Sequence, residues 1–309
     1  MHVPYACRHS GVCCSSGWAI AIERTRTAAV GVLRRDGSWL VPAPDAPPEI
    51  AGTLALSDAG HCVFHGTGCQ IQRVHGHAAL PSACQHFPRE VLLDGRGARV
   101  TLSHYCPTAV DLLFDYAGSV EIVEGPPAIP LGVPEGLDAR DVLPPLLAEG
   151  VLMDPDGYSA WEAHMVRVLT AKDDRSPGDV LSALEAEFAM VQRWRPGRGL
   201  LSDEIVRLPA AAFTGIRSCN SYRVVRRYLA ARAFASWMAY QGGGMAAVLG
   251  SLRVALAVLE EESARLPLKE AIRQADLRLL HLMPRDSFIA LVRQRAPVCG
   301  ARIAPHYSE

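Results

Sequence analysis

The sequence predicts an α+β protein: a small, irregular, β-hairpin-containing cysteine and metal domain over residues 1–125, followed by an α-helical domain over residues 126–309. Three observations predict it. Seven of the nine cysteines (Cys7, Cys13, Cys14, Cys62, Cys69, Cys84 and Cys106) fall in the first 106 residues. The same region is broken by Gly and Pro and carries short β-rich runs. Past the cluster Gly125, Pro126, Pro127, Pro130 and Pro134, apolar residues recur at helical spacing, so the boundary is set there.

In chain order, Trp18 to Glu23 reads as a short strand from the alternation of Ile20 and Ile22, and residues 24–35 as a short amphipathic helix. Val41 to Pro48 carries four prolines and reads as a surface connection. Glu90–Asp94 and Arg99–Ser103 flank Gly95-Arg96-Gly97 and make a hairpin. A hairpin folds back on itself, so Cys84 and Cys106, beyond its open ends, are expected to approach one another. Ser119 to Val123 closes this half as a strand-like run.

In the second half, Ser159 and Glu162 have the form of a capping box, and Ser176-Pro177-Gly178-Asp179 places a cap, a first-turn proline and an early acid before a helix. That helix carries Leu181, Leu184, Phe188 and Val191 on one face and stops before Pro196-Gly197. Three more helices are predicted, near Arg217–Tyr240, Met245–Leu266 and Leu268–Met283. The first is apolar nearly all round, which argues for burial. Its arginines, Arg217, Arg223, Arg226, Arg227 and Arg232, are expected on a solvated, salt-bridging face, with an anion site as the sharper alternative. Glu270, Arg273, Asp276, Arg278 and His281 either line a pocket or form surface pairs, Arg273 with Asp276 first. Gly242-Gly243-Gly244 reads as a turn between helices, because no strand precedes it as a phosphate loop would need.

Composition excludes some functions. A net charge of −1 and the absence of any nucleic-acid motif give no reason to expect nucleic acid, and 49% hydrophobic residues suffice for a substantial core. The most apolar window, Met245 to Leu259, is interrupted by Ser251 and Arg253 and is too short for a membrane span, so no membrane partner is expected. The start MHVPYACRHSG lacks a basic and an apolar signal region, so the expected location is the cytoplasm, where cysteines stay reduced.

Three causes compete for the crowded thiols, disulfides, a metal or iron–sulfur centre, and ordinary buried cysteines, and a reducing compartment favours the metal, since thiolate is a soft ligand suited to zinc or to iron–sulfur clusters. All seven N-terminal cysteines are candidate ligands. Either four of them form one centre, or two centres exist and the second is completed by His9, His61, His65, His86 or His104. Neighbouring side chains in an extended segment face opposite ways, so only one of Cys13 and Cys14 is expected to ligate a given ion. No C-x-x-C knuckle of a zinc ribbon is present, which tilts the reading to iron–sulfur over zinc. Cys219 and Cys299 read as structural thiols. Loss of metal is expected to loosen residues 1–110 and spare the helices.

The residues also carry a resemblance. Cys7, Gly11, Cys13, Cys14, Trp18, Ile20, Ile22 and Glu23, then HCVFHGTGCQIQRVHG and LPSACQHFPRE, resemble the CxxxCC (YkgJ-type) zinc- or iron-chelating cysteine-cluster family, and within it the flagellin lysine N-methylase branch. The match covers about the first third of the chain, and Ser10 stands where many relatives carry another cysteine. The resemblance implies an iron–sulfur cluster, with zinc as the alternative, and transfer of a methyl group from S-adenosylmethionine to a lysine amine of a protein substrate. Glu23 and Tyr105 would be candidates for taking the amine proton. No Rossmann loop and no C-x-x-x-C-x-x-C triplet supports that cofactor independently. The reading from another class is a non-catalytic zinc- or iron–sulfur-binding module that senses redox state, handles metal or supports a protein partner.

Overall fold

The computed structural model describes residues 5, 7–115, 122–125, 136–208 and 220–297. Cys219, Cys299, Arg217 and most of the expected proline-rich boundary lie outside the described residues. The α+β class is observed: helices dominate the second half, and small sheets occupy the first.

The cysteine half is built on β1 (Ala21–Glu23), α1 (Thr27–Gly31), β2 (Leu40–Pro42) and β3 (Ile50–Leu54). β3 is the centre of a three-stranded antiparallel sheet, with Ile22 opposite Gly52 and Leu40 opposite Leu54. Its inward residues Ile22 and Leu54 join Ile20, Val30, Trp39, Phe64, Ile71 and Leu80 in an apolar core that also takes in Cys14 and Cys62. Then come the two-residue strands β4 (His65–Gly66) and β5 (Gly68–Cys69), α2 (Gln70–His75) and α3 (Ser82–His86).

The predicted hairpin is β6 (Arg89–Asp94) and β7 (Gly97–Leu102), with Asp94 paired to Gly97 across a two-residue Gly95-Arg96 turn. Its tip is buried. Arg96 donates to Asp94 at 2.8 Å and to Glu162 at 3.2 Å, and its guanidinium lies 3.4 Å from the Tyr158 ring centre. Glu162 also accepts from the Ala235 backbone N–H at 3.0 Å, and Tyr240 donates to Asp94 at 2.8 Å. Glu162 is therefore a clamp holding the hairpin to the helices and not half of a capping box. The helix that contains it starts earlier, capped by Asp154.

After α4 (Pro107–Phe114), β8 (Gly136–Asp138) adds to β6 in parallel, Val91 beside Gly136, where a side chain would collide with the Val91 carbonyl. β9 (Leu146–Ala148) and β10 (Val151–Leu152) form a small hairpin. The helices are α5 (Pro155–Thr170), α6 (Pro177–Val191), α7 (Leu201–Val206), α8 (Asn220–Ala233), α9 (Gly244–Ser263), α10 (Leu268–Asp276) and α11 (Arg285–Arg295), and a wide π turn, Leu277–Leu282, follows α10. The Ser176–Asp179 capping box is present as expected. α9 is buried along most of its length and packs against α6, α8, α10 and α11. The helical core also draws in Val110 and Leu113 from α4. Among the described residues no helix is long and apolar enough to cross a membrane.

The α8 arginines do not form a solvated face. Arg226, 2% exposed, donates to the carbonyls of Val168, Leu169 and Ala171 and to Asp173. Arg227, 5% exposed, donates to the carbonyls of Leu113 and Asp115. Each guanidinium satisfies carbonyls orphaned at a helix C-terminus, α5 and α4 respectively, where positive charge is also favoured by the helix dipole.

Candidate metal centre

Three backbone devices bring four cysteines together. Gly11, at φ +74°, starts the single 3-10 turn Val12–Ser15, and a Cβ there would stand 2.8 Å from the Cα of Gly68. The Cys62 N–H donates to the Cys14 carbonyl at 2.8 Å, fixing the second segment against the first. β4 and β5 pair His65 with Cys69, and the Gln70 N–H donates to the Phe64 carbonyl at 2.9 Å, turning the third segment inward.

The Cys14 thiol is in hydrogen-bonding contact with the sulfurs of Cys13, Cys62 and Cys69. Cys13 and Cys14 thus meet, because the chain is coiled in a tight turn there, and the opposite-face expectation, which assumed an extended segment, does not hold. Contact with the Cys14 thiol, reinforced by the N–H groups of Gln72 and Ile71 against the effect of burial, lowers the Cys69 thiol to about 6. The same contact lowers Cys13 and Cys62 and pushes Cys14 up. One thiol is held among three neighbours biased toward thiolate.

None of the seven described cysteines forms a disulfide. Among the described residues, no set of three or more Cys, His, Asp or Glu side chains forms a ready coordination shell. The chemistry of the quartet nonetheless fits a soft ion: four sulfurs, two of them in the apolar core and two half-buried. An ion there would displace the protons the thiols share.

Cys7 and Cys106 have partners of their own. Exposed Cys7 accepts from the His9 N–H at 3.3 Å, and buried Cys106 meets the Tyr5 hydroxyl at 3.3 Å. Cys7 also reaches that hydroxyl, and burial with these contacts raises the Tyr5 pKa well above the usual range. Cys84, on α3, packs at the edge of the Cys14 core, whereas Cys106 belongs to a separate apolar cluster with Leu102 and Ala109. Of the histidines, His61 and His65 meet edge to face, His104 lies 3.7 Å from Asp276, and His86 is buried with neither ring nitrogen hydrogen-bonded. Glu23 and Tyr105 are engaged: Glu23 accepts from the Ser82 N–H at 3.0 Å and pairs with Arg26, and Tyr105 donates to the Val12 carbonyl at 3.3 Å.

A second feature lies beside Trp18. A cavity of about 520 Å³ opens between Trp18, Phe87, Arg89, Glu90 and Ser103 on one side and Trp237, His281, Arg285 and Phe288 on the other. Ser103 and His281 Nε2 are 3.1 Å apart, and the His281 ring stacks on Trp18 at 4.3 Å. Burial, aided by Arg232 and opposed by Asp276, holds His281 down to about 4, so it is neutral at pH 7. Of the polar group expected on α10, only His281 lines this cavity. Asp276 is fully buried and pairs with Arg232, while Arg273 pairs with Glu270.

Fold and site together define an α+β protein with a four-cysteine cluster set against a helical bundle. Comparison with protein-family models, curated proteins and solved structures found no significant match.

Proposed function

We propose that this is a metal-binding protein whose centre is the quartet Cys13, Cys14, Cys62 and Cys69. The observation that carries the reading is the contact of one thiol, Cys14, with the other three. A single zinc ion takes four thiolates at about 2.3 Å in a tetrahedral shell, and Cys14 with the three thiols around it supplies that number. A cubane cluster would have to hold the same sulfurs apart with its own iron–sulfide body. The quartet therefore favours a single zinc-sized ion, which would supply folding free energy by locking three chain segments together.

A second reading, the iron–sulfur centre of a protein-lysine methyltransferase using S-adenosylmethionine, is favoured by Cys7 and Cys106, which meet at Tyr5 and leave thiols for a larger centre. Both readings place the protein in the cytoplasm with a protein partner or substrate. Metal and acid-labile sulfide analysis of protein purified without oxygen separates them. One zinc per chain without sulfide, lost in Cys14→Ser and kept in Cys106→Ser, is the expected result. Equal iron and sulfide, with thermal stabilisation by S-adenosylmethionine, would establish the second reading, and protein free of both metals would sink the two together.

A further inference from the structure

The cavity beside Trp18 has a chemistry of its own. Its size lies in the usual range of small-molecule sites, about 300 to 1,000 Å³. Its walls include four aromatic rings, Trp18, Phe87, Trp237 and Phe288. These rings are held in place by one another: Trp18 lies 5.4 Å from Phe87, and Trp237 lies 5.9 Å from Phe288. A stacking surface already fixed by its own packing loses little freedom when a ligand arrives.

The charges around it are uneven. Arg89 and Arg285 both border the cavity, and neither has a carboxylate partner among the described residues. Arg89 stacks over Tyr5 at 5.4 Å, and Arg285 stacks over Trp237 at 5.3 Å and donates to the neutral Gln241 at 2.8 Å. Glu90 also borders the cavity, so its lining carries two cations to one carboxylate. The neutral Ser103–His281 pair adds a hydrogen-bonding edge without charge. Aromatic walls with an excess of positive charge select a particular ligand.

We propose that this cavity binds a planar organic anion, an aromatic ring system carrying a carboxylate, sulfonate or phosphate, with the ring against Trp18 and Trp237 and the anionic group at Arg285. The test uses two fluorescent probes of nearly the same shape on the full chain, anilinonaphthalene sulfonate and uncharged phenylnaphthylamine. One saturable sulfonate site per chain is expected, about tenfold tighter than the uncharged probe, as a charge-assisted hydrogen bond contributes. Arg285→Gln, at an exposed position, should remove that preference and leave binding of the uncharged probe and the melting temperature unchanged. Trp237→Leu should weaken both probes. Equal affinity for the two probes, sulfonate binding unaffected by Arg285→Gln, or several dyes bound per chain would overturn the proposal. So would displacement of the dye by cationic S-adenosylmethionine at a lower concentration than by indole carboxylate. Metal content is measured on the same samples, so that loss of the metal and loss of the dye site are read separately.

Discussion

Substitution of Asp276 by alanine tests the structural argument most sharply. This carboxylate is fully buried at the end of α10, where it accepts from Tyr228 at 2.9 Å, from Arg232 at 2.9 Å and from the His104 backbone N–H. It joins three elements: α8, α10 and the chain leaving β7. Alanine would leave a buried guanidinium without its counter-charge and two donors without their acceptor. Breaking a buried pair by removing one partner costs about 3 to 5 kcal/mol. For a chain of this size each kcal/mol lowers Tm by about 2 °C or more, so a fall of roughly 6 to 10 °C is expected. Urea unfolding at pH 7, followed by circular dichroism, measures the loss as a lower midpoint at unchanged slope. Asp276→Asn with Arg232→Met removes both charges and should recover most of it. The hydrogen bonds and the Arg232 charge hold this carboxyl well below the usual carboxylate range despite the opposing effect of burial. Because its folded pKa is the lower one, the stabilisation is complete above about pH 4 and fades as pH falls, so Asp276→Ala should also flatten the acid limb of stability. A loss below about 1 kcal/mol would refute the buried-pair argument.

Four further outcomes are expected. Arg226→Met uncaps α5 and leaves Asp173 without its buried partner, and should cost about 3 kcal/mol in the same urea assay. Asp173, held at about 2 by Arg175 and Arg226 against the effect of burial, contributes about 2 kcal/mol before solvent screening and on the order of 1 after it. That contribution is lost as pH falls from about 4 to about 2, and Asp173→Asn should show no such loss. Gly11→Ala forces a side chain into positive φ and against Gly68, and should cost about 1 to 3 kcal/mol and lower metal content, read together by thermal melting and metal analysis. Chelation should raise hydrogen exchange in residues 11–86 while leaving α5, α8 and α9 protected, and uniform protection throughout would argue against a structural metal.

Local patterns were legible wherever the cause is local. The β6–β7 hairpin follows from alternation around a glycine-bearing link, and the start of α6 follows from Ser176, Pro177 and Asp179. The cysteine clustering pointed to one region of chemistry. Less was legible where a residue's role depends on a distant partner. Glu162 and Ser159 have the spacing of a cap, yet Glu162 is taken by Arg96, 66 positions away. Arg226 and Arg227 look like surface charges on any helical wheel, but each finds carbonyls at the end of another helix. The face shared by Cys13 and Cys14 depended on whether residues 12–15 were extended or coiled, and that rested on the approach of Gly11 to Gly68.

The sequence by itself determined the class of fold, the hairpin, the capped helix and the small set of thiols from which any metal centre must be drawn. Each of these rests on interactions between residues a few positions apart, where backbone geometry dictates the pattern. Only the tertiary structure decided which four thiols meet, which charges are buried and where a cavity opens. Ser103 and His281 are 178 positions apart, and His104 and Asp276 are 172 apart. Such pairs leave no period in the chain. They form because buried donors, acceptors and charges must find partners within a packed interior, and that requirement is met only once the elements are assembled.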